Sequence, residues 1–218
     1  MNQNYCIFAA QYFPHLGGVE RYTYHLAKEL IRRGDQAVIV TSNVQRLPSY
    51  EKMDGIPVYR FPCINLLDGR FPVLWPGGDF RKIHRTLMKK HFDKVIVNTR
   101  FYPHSLYGVL FGRRQRAKTI VIDHGSSHLT VHNPFWDTVG GWYEHLFTGI
   151  LKLLCKDYYG VSRASIQWLR HFHIQAKGAL YNAIDLDEIQ RRLAHPVRNF
   201  REEYGIPDQA DVITFTGR

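Results

Sequence analysis

Short apolar runs alternate with amphipathic stretches along most of the chain. Tyr5–Ala10, Ala37–Thr41, Val58–Phe61, Lys94–Asn98, Thr119–Asp123, Tyr158–Val161, Ala179–Tyr181 and Val212–Thr216 have strand length. They favour Val, Ile and aromatic residues, as half-buried or buried strands do. Between them, Glu20–Arg33, Phe80–His91, Ser105–Phe111, Trp142–Cys155 and Ser165–Arg170 read as helices. The first is the clearest: Val19, Tyr22, Leu26 and Leu30 recur at helical spacing, and Gly34 stops the run. Strand–helix alternation of this kind predicts an α/β fold built on a doubly wound, mostly parallel sheet. In such sheets ligands gather at the C-terminal ends of the strands. The stretch from Leu47 to Gly78 breaks the pattern with five prolines, Pro48, Pro57, Pro62, Pro72 and Pro76. Its Leu66, Leu67, Phe71, Val73, Leu74 and Trp75 predict a loop that packs on its own domain, with contact to lipid or a substrate as the alternative.

Composition narrows the class. At 218 residues and 44% hydrophobic content, the chain fills one large domain, or one domain and a piece of another. Three cysteines, Cys6, Cys63 and Cys155, are far apart, which argues against a disulfide scaffold or a zinc ribbon and fits a reducing compartment. No apolar run approaches the roughly 20 residues of a spanning helix, and MNQNYCIFAA has no basic n-region. The expected location is cytoplasmic, with peripheral attachment at the inner membrane face as an extension. The net charge of +10 opens three partner classes: nucleic acid, an anionic membrane surface, or anionic small molecules. Arg81, Lys82, Arg85, Lys89 and Lys90 lie on a helix beside Phe80, Ile83, Leu87 and Met88, which reads as a solvated face or as a membrane-facing one. No zinc finger, RNP-type string or basic recognition helix is present, so specific nucleic-acid binding is not expected.

The loop between the first strand and first helix carries chemistry. Gly17 and Gly18 stand at a helix N-terminus, where backbone N–H groups and the helix dipole favour an anion. The missing Cβ atoms let a ligand approach the main chain, although many α/β proteins use such a pair only to turn. Glu20 and Arg21 read as helix-start residues. The wider string FPHLGGVERYTYHLAKELIRRG, followed by a strand ending in Thr41, resembles the N-terminus of the GT-B glycosyltransferases of family 4. Those enzymes open with a Pro-x-x-Gly-Gly loop, a helix with a Leu- and Ala-rich face, and a Gly-His-like turn, here Gly34-Asp35.

The resemblance runs in order along the chain and implies a Rossmann-like N-terminal half of a GT-B fold. It implies that Gly17 and Gly18 contact the donor diphosphate or the acceptor, and that Asp123-His124-Gly125 is the strand-end motif whose histidine faces the transferred sugar. A histidine there can hydrogen-bond and move protons near neutrality; the plain alternative is one that caps the strand end. In the retaining front-face mechanism of this family, His124 orients and polarises. Val161-Ser162 and Tyr181-Asn182-Ala183-Ile184-Asp185 match turns near the site, so Ser162 and Asn182 are structural candidates there; Tyr181 and Ala183 replace the family's Pro and Gly. Arg218, in Thr216-Gly217-Arg218, resembles the arginine that reaches the donor's phosphates, a task suited to a guanidinium. Arg100 and Tyr102 follow a strand on the same sheet edge and are candidates for acceptor contact.

The resemblance also implies a domain division: 1–195 as an acceptor-side domain and 196–218 as the opening of a truncated nucleotide-sugar-binding domain. The expected activity is transfer of a hexose, with retention, from a nucleotide sugar to a lipid-linked or polysaccharide acceptor of the cell envelope, by the intact protein and not by this fragment. The partners are then a nucleotide sugar and a lipid-linked or saccharide acceptor, with no cofactor. A nicotinamide-dependent oxidoreductase is the main alternative, yet His15-Leu16-Gly17-Gly18-Val19-Glu20 is not GxGxxG and the second strand ends Thr41-Ser42 without an acidic residue. His124, His128 and His132 are spaced by four and on a helix would suit zinc. Asp123–Ser127 reads as strand end and loop, and Asn133-Pro134 as the end of the segment, so no metal is expected.

Overall fold

The computed structural model describes residues 2–67, 69–130, 132–183, 186–195 and 198–215. Two compact units form, Met1–Asn182 and Ala183–Arg218.

The first unit is built on seven strands: β1 (Asn4–Ala9), β2 (Gln36–Ser42), β3 (Tyr50–Met53), β4 (Ile56–Phe61), β7 (Lys94–Asn98), β8 (Lys118–Asp123) and β9 (Tyr158–Gly160). Their order is β3-β4-β2-β1-β7-β8-β9, parallel throughout except for the antiparallel edge pair β3–β4. The expected α/β class and mostly parallel sheet are therefore present. The short run at Ala179 adds one parallel bridge to Gly160. The chain leaves β1 toward β2 on one side and reaches β7 on the other, so the C-terminal ends of β1 and β7 form the switch point of the sheet.

Alternation along each strand feeds two cores. Cys6, Phe8, Val38, Val40, Val95 and Val97 face one layer, under α2 (Gly78–Met88), α3 (Pro103–Gln115), α4 (Pro134–Leu154) and α5 (Arg163–His171). Ile7, Ile39, Ile96 and Ile122 face the other, with Tyr22, Ala27, Leu26 and Leu30 of α1 (Gly18–Arg32). Gly108 lets α3 press on the sheet: a Cβ there would sit 2.8 Å from Phe8 Cγ.

Several elements differ from the sequence expectation. The proline-rich stretch contains a hairpin, β5 (Cys63–Leu66) with β6 (Phe71–Leu74). Leu74 packs on the core, while Leu66, Leu67 and Trp75 stay exposed. Of the apolar residues on α2, Ile83 and Leu87 are buried and Phe80 and Met88 pack against the core, so its exposed face is the basic one. Helix α4 begins eight residues before the expected Trp142: Asn133 is its N-cap, accepting from the N–H groups of Phe135 (3.1 Å) and Trp136 (3.3 Å), and Pro134 follows at the first turn.

The second unit holds α6 (Leu186–Ala194) and the short α7 (Phe200–Glu203). Residues 212–215 pair with no strand among the described residues, and Ile213 and Phe215 are 96% and 93% exposed. A strand is stabilised by its neighbours, and the described residues of this unit offer none. Ile184, Asp185 and Thr216–Arg218, including the candidate phosphate ligand Arg218, lie outside the described residues.

Candidate functional site at the sheet switch point

The site is assembled from the ends of β1, β7 and β8 and the first turn of α1. Three side chains form a directional relay into it. Thr23 Oγ1 donates to the Val19 carbonyl (2.7 Å), so it accepts from Asn98 Nδ2 (2.8 Å). That fixes the Asn98 amide, whose Oδ1 faces His124 Nε2 at 3.0 Å. Nε2 must then carry the proton, which leaves Nδ1 with the lone pair. Burial pushes the His124 imidazole down to about 4, so it is neutral near pH 7. The ring of Tyr22 packs edge-on against it at 4.9 Å. His124 is thus a neutral imidazole of defined tautomer, held by two strands and α1.

The glycine loop lies at the same end. Gly17 is the N-cap of α1, with extended backbone and no side-chain cap. Glu20, 5% exposed, folds back over it; a Cβ on Gly17 would strike the Glu20 carboxylate, which also meets His15 Nδ1 at 3.1 Å. The helix N-terminus therefore already faces one carboxylate, as the dipole favours. Gly18 is different: a Cβ there would meet nothing within 4 Å, so the space beside it is open. Beyond the loop, a small cleft is bordered by Gln11, His15, Asn43 and Arg60.

Tyr102 is the N-cap residue of α3, and its hydroxyl donates to the Arg70 carbonyl at 3.2 Å. Burial, helped by the charge of Glu20, raises its phenol to about 12. Arg100 is not where an acceptor contact requires it. Its side chain is fully buried, donating from Nη1 to Asp123 Oδ1 (2.7 Å) and from Nη2 to Glu144 Oε1. The guanidinium also lies over the Phe172 ring, 4.1 Å from its centroid. The expectation of acceptor contact at Arg100 is corrected: its desolvation is offset by two carboxylates and the Phe172 ring, and it holds the strand ends together. Burial pushes Asp123 up to about 6 against the pull of Arg100. This network joins β7, β8 and α4 directly beneath His124; nothing in local sequence marks Glu144 as its member.

Ser162 serves as the N-cap of α5 in a reciprocal capping box with Ser165: Ser162 Oγ accepts from the Ser165 N–H (3.1 Å) and Ser165 Oγ from the Ser162 N–H (2.9 Å). Asn182 is exposed at the end of the first unit. His124, His128 and His132 do not converge, because the segment after β8 is irregular, not helical. His128 instead meets His145 and His171.

The chain matches the profile of Glycosyltransferase Family 4 over residues 16–188. An uncharacterized glycosyltransferase of Methanocaldococcus jannaschii is 26% identical over 196 residues, covering 84% of this chain and 48% of its own. The GPI3 subunit of phosphatidylinositol N-acetylglucosaminyltransferase from Saccharomyces cerevisiae is 27% identical over 157 residues, covering 71% of this chain and 34% of its own. Among solved structures, sucrose-phosphate synthase of Thermosynechococcus elongatus superimposes with a TM-score of 0.61 at 13% identity, over 94% of this chain and 53% of that one. A glycosyltransferase of Rickettsia africae gives 0.53 at 16% identity, over 95% and 51%. The chain spans half or less of the length of the curated relatives it matches. The profile match covers the glycine loop, both strand ends and the capping box, and on it the chain belongs to glycosyltransferase family 4, with the Rossmann-like fold of a GT-B N-terminal half.

Proposed function

We propose that this chain is the acceptor-side half of a retaining glycosyltransferase that moves a hexose from a nucleotide sugar to a lipid-linked or saccharide acceptor of the cell envelope. The reading rests on one observation above the others: His124, neutral and of fixed tautomer, stands at the switch point where such sheets bind ligands. Its Nδ1 can accept a hydrogen bond from a sugar or acceptor hydroxyl. Placed so, it orients that hydroxyl without carrying a charge of its own, and proton removal falls to the donor's phosphate. Gly18 gives the diphosphate or acceptor room against the main chain. Arg218 is assigned to the donor phosphates, and the nucleotide to a second domain beginning within residues 196–218. No cofactor beyond the sugar donor is assigned to this step.

A membrane surface is the proposed location of the acceptor. Support comes from α4, where Phe135, Val139, Trp142, Leu146, Ile150 and Leu153 recur three or four residues apart and are all exposed, Trp142 at 76% and Leu153 at 73%. With a net charge of +10 the chain is drawn to an anionic surface, where such a helix face embeds. Among the described residues no helix is long and apolar enough to cross a membrane.

The experiment is turnover. Full-length protein incubated with UDP-glucose, UDP-N-acetylglucosamine or GDP-mannose and a membrane-lipid acceptor extract should release nucleoside diphosphate with at least one donor. The 218-residue chain alone should release none. Turnover by that chain alone contradicts the half-enzyme reading.

A further inference from the structure

Three imidazoles from three separate elements meet beside the Arg100 network. His128 lies in the loop after β8, His145 on α4, and His171 is the last residue of α5. One ring nitrogen of each lies within 4.8 Å of the other two. His171 Nε2 is 3.3 Å from His128 Nε2 and 3.1 Å from His145 Nε2. Zinc bonds imidazole nitrogen at about 2.0–2.1 Å in tetrahedral geometry, which sets ligand nitrogens roughly 3.3 Å apart. Two of the three edges already have that length. The third, between His128 and His145, closes by rotation of the exposed His145.

Proton bookkeeping also favours a cation. His128 Nδ1 contacts Glu144 Oε2, so it carries a proton and its Nε2 presents a lone pair. A proton on His171 Nε2 can be donated to His128 or to His145, not to both. One of the two N···N contacts is then left without a hydrogen bond, whereas a metal ion accepts all three lone pairs at once. The surroundings match those of metal-binding histidines, whose second nitrogen is held by a carboxylate. Glu144, buried, holds His128 and is itself fixed by Arg100, which binds Asp123. Trp168 stacks on His171 (centroids 4.7 Å apart, planes at 8°) and meets His128 edge-on at 4.8 Å; Phe172 packs on His145 at 4.7 Å. These rings wall one side of the cluster and limit its rotamers.

We propose that His128, His145 and His171 form a zinc site that pins the loop following His124 to α4 and α5. Three protein ligands leave one position for water or another donor. His128 is four residues from His124, so occupancy fixes the middle of the loop that begins at the candidate catalytic histidine.

The test uses the full chain prepared without a histidine tag and stripped with EDTA. Zinc titration followed by desalting and metal analysis should recover one zinc per chain. Cobalt(II) as probe should give visible absorption that zinc abolishes. His145→Ala and His171→Ala, both exposed and so compatible with folding, should each lower zinc affinity by at least about tenfold, the lower end of the loss expected even for residues behind the ligands. His25→Ala, an exposed histidine on α1, should leave binding unchanged. Circular dichroism confirms that each variant is folded. The absence of saturable binding at micromolar zinc overturns the site, and so does equal affinity in the parent chain and the His145→Ala/His171→Ala double variant.

Discussion

Replacing Arg100 by methionine tests how the strand ends beneath His124 are held. The perturbation keeps much of the side chain's volume and removes its charge. Arg100 and Asp123 are fully buried and Glu144 is 3% exposed, so two carboxylates lose their common cation in a place water does not reach. Breaking a buried pair from one side costs about 3–5 kcal/mol. The cost depends on pH, and its sign follows from Asp123. Its carboxyl is already raised to about 6, above its ordinary value near 4, and loss of Arg100 raises it further. A group raised in the folded state binds more protons there than in the unfolded chain, so stability falls as pH rises through the folded value. The slope is about 1.4 kcal/mol per pH unit while Asp123 titrates. Urea unfolding at pH 5 and pH 8, followed by tryptophan fluorescence, should therefore show a small loss at pH 5 and the full loss at pH 8. Adding Asp123→Asn to Arg100→Met should recover part of the loss at pH 8 and little at pH 5. An equal penalty at both pH values, or one below about 1 kcal/mol at pH 8, would refute the reasoning.

Other outcomes follow from the same contacts. His104 is buried between Ser42 Oγ (3.2 Å) and the Val40 carbonyl (3.0 Å), and burial pushes it down to about 4, as it does His124. Both take up protons only on unfolding as pH falls from about 6.5 to 4, so stability should drop by up to about 1.4 kcal/mol per pH unit for His104, and by less for the half-buried His124; His104→Gln should flatten the urea midpoint against pH in that window, and an unchanged curve contradicts the assignment. Gly17→Ala should displace Glu20 from the α1 N-terminus and lower the thermal midpoint, whereas Gly18→Ala should leave the midpoint intact and weaken only ligand binding. Trp142→Ser/Leu146→Ser should abolish pelleting with anionic vesicles without destabilising the fold, since both side chains are exposed; equal pelleting of parent and variant removes α4 from the membrane surface.

Much of the sheet is legible in the sequence because each central strand is a short apolar run whose alternate residues feed opposite cores. The glycine turn and α1 are legible for the same reason, and His124 because a strand end is the place a ligand site is sought. Other features depend on partners distant in sequence. Arg100 reads as a surface cation until Asp123 and Glu144, 23 and 44 residues away, are seen to enclose it. Asn133-Pro134 reads in the sequence as the end of a segment; it caps α4 instead, because an Asn side chain that accepts two N–H groups and a proline lacking its own both suit a first turn. The polar edge strand Tyr50–Met53 carries little apolar signal, since its side chains are half-buried or exposed. The histidines that converge are those brought together by three elements, not those spaced evenly along one segment.

The most direct measurement is the steady-state rate of the full-length protein, with its preferred nucleotide sugar and acceptor, for His124→Ala and Asn98→Ala. The account predicts that His124→Ala lowers kcat/KM by about a hundredfold or more, the scale of losing one positioned polar contact to the reacting group. Asn98→Ala should cost less, because it frees the tautomer without removing the ring. A His124→Ala enzyme that folds and retains parental kcat/KM would contradict the placement of the reaction at the switch point of this sheet.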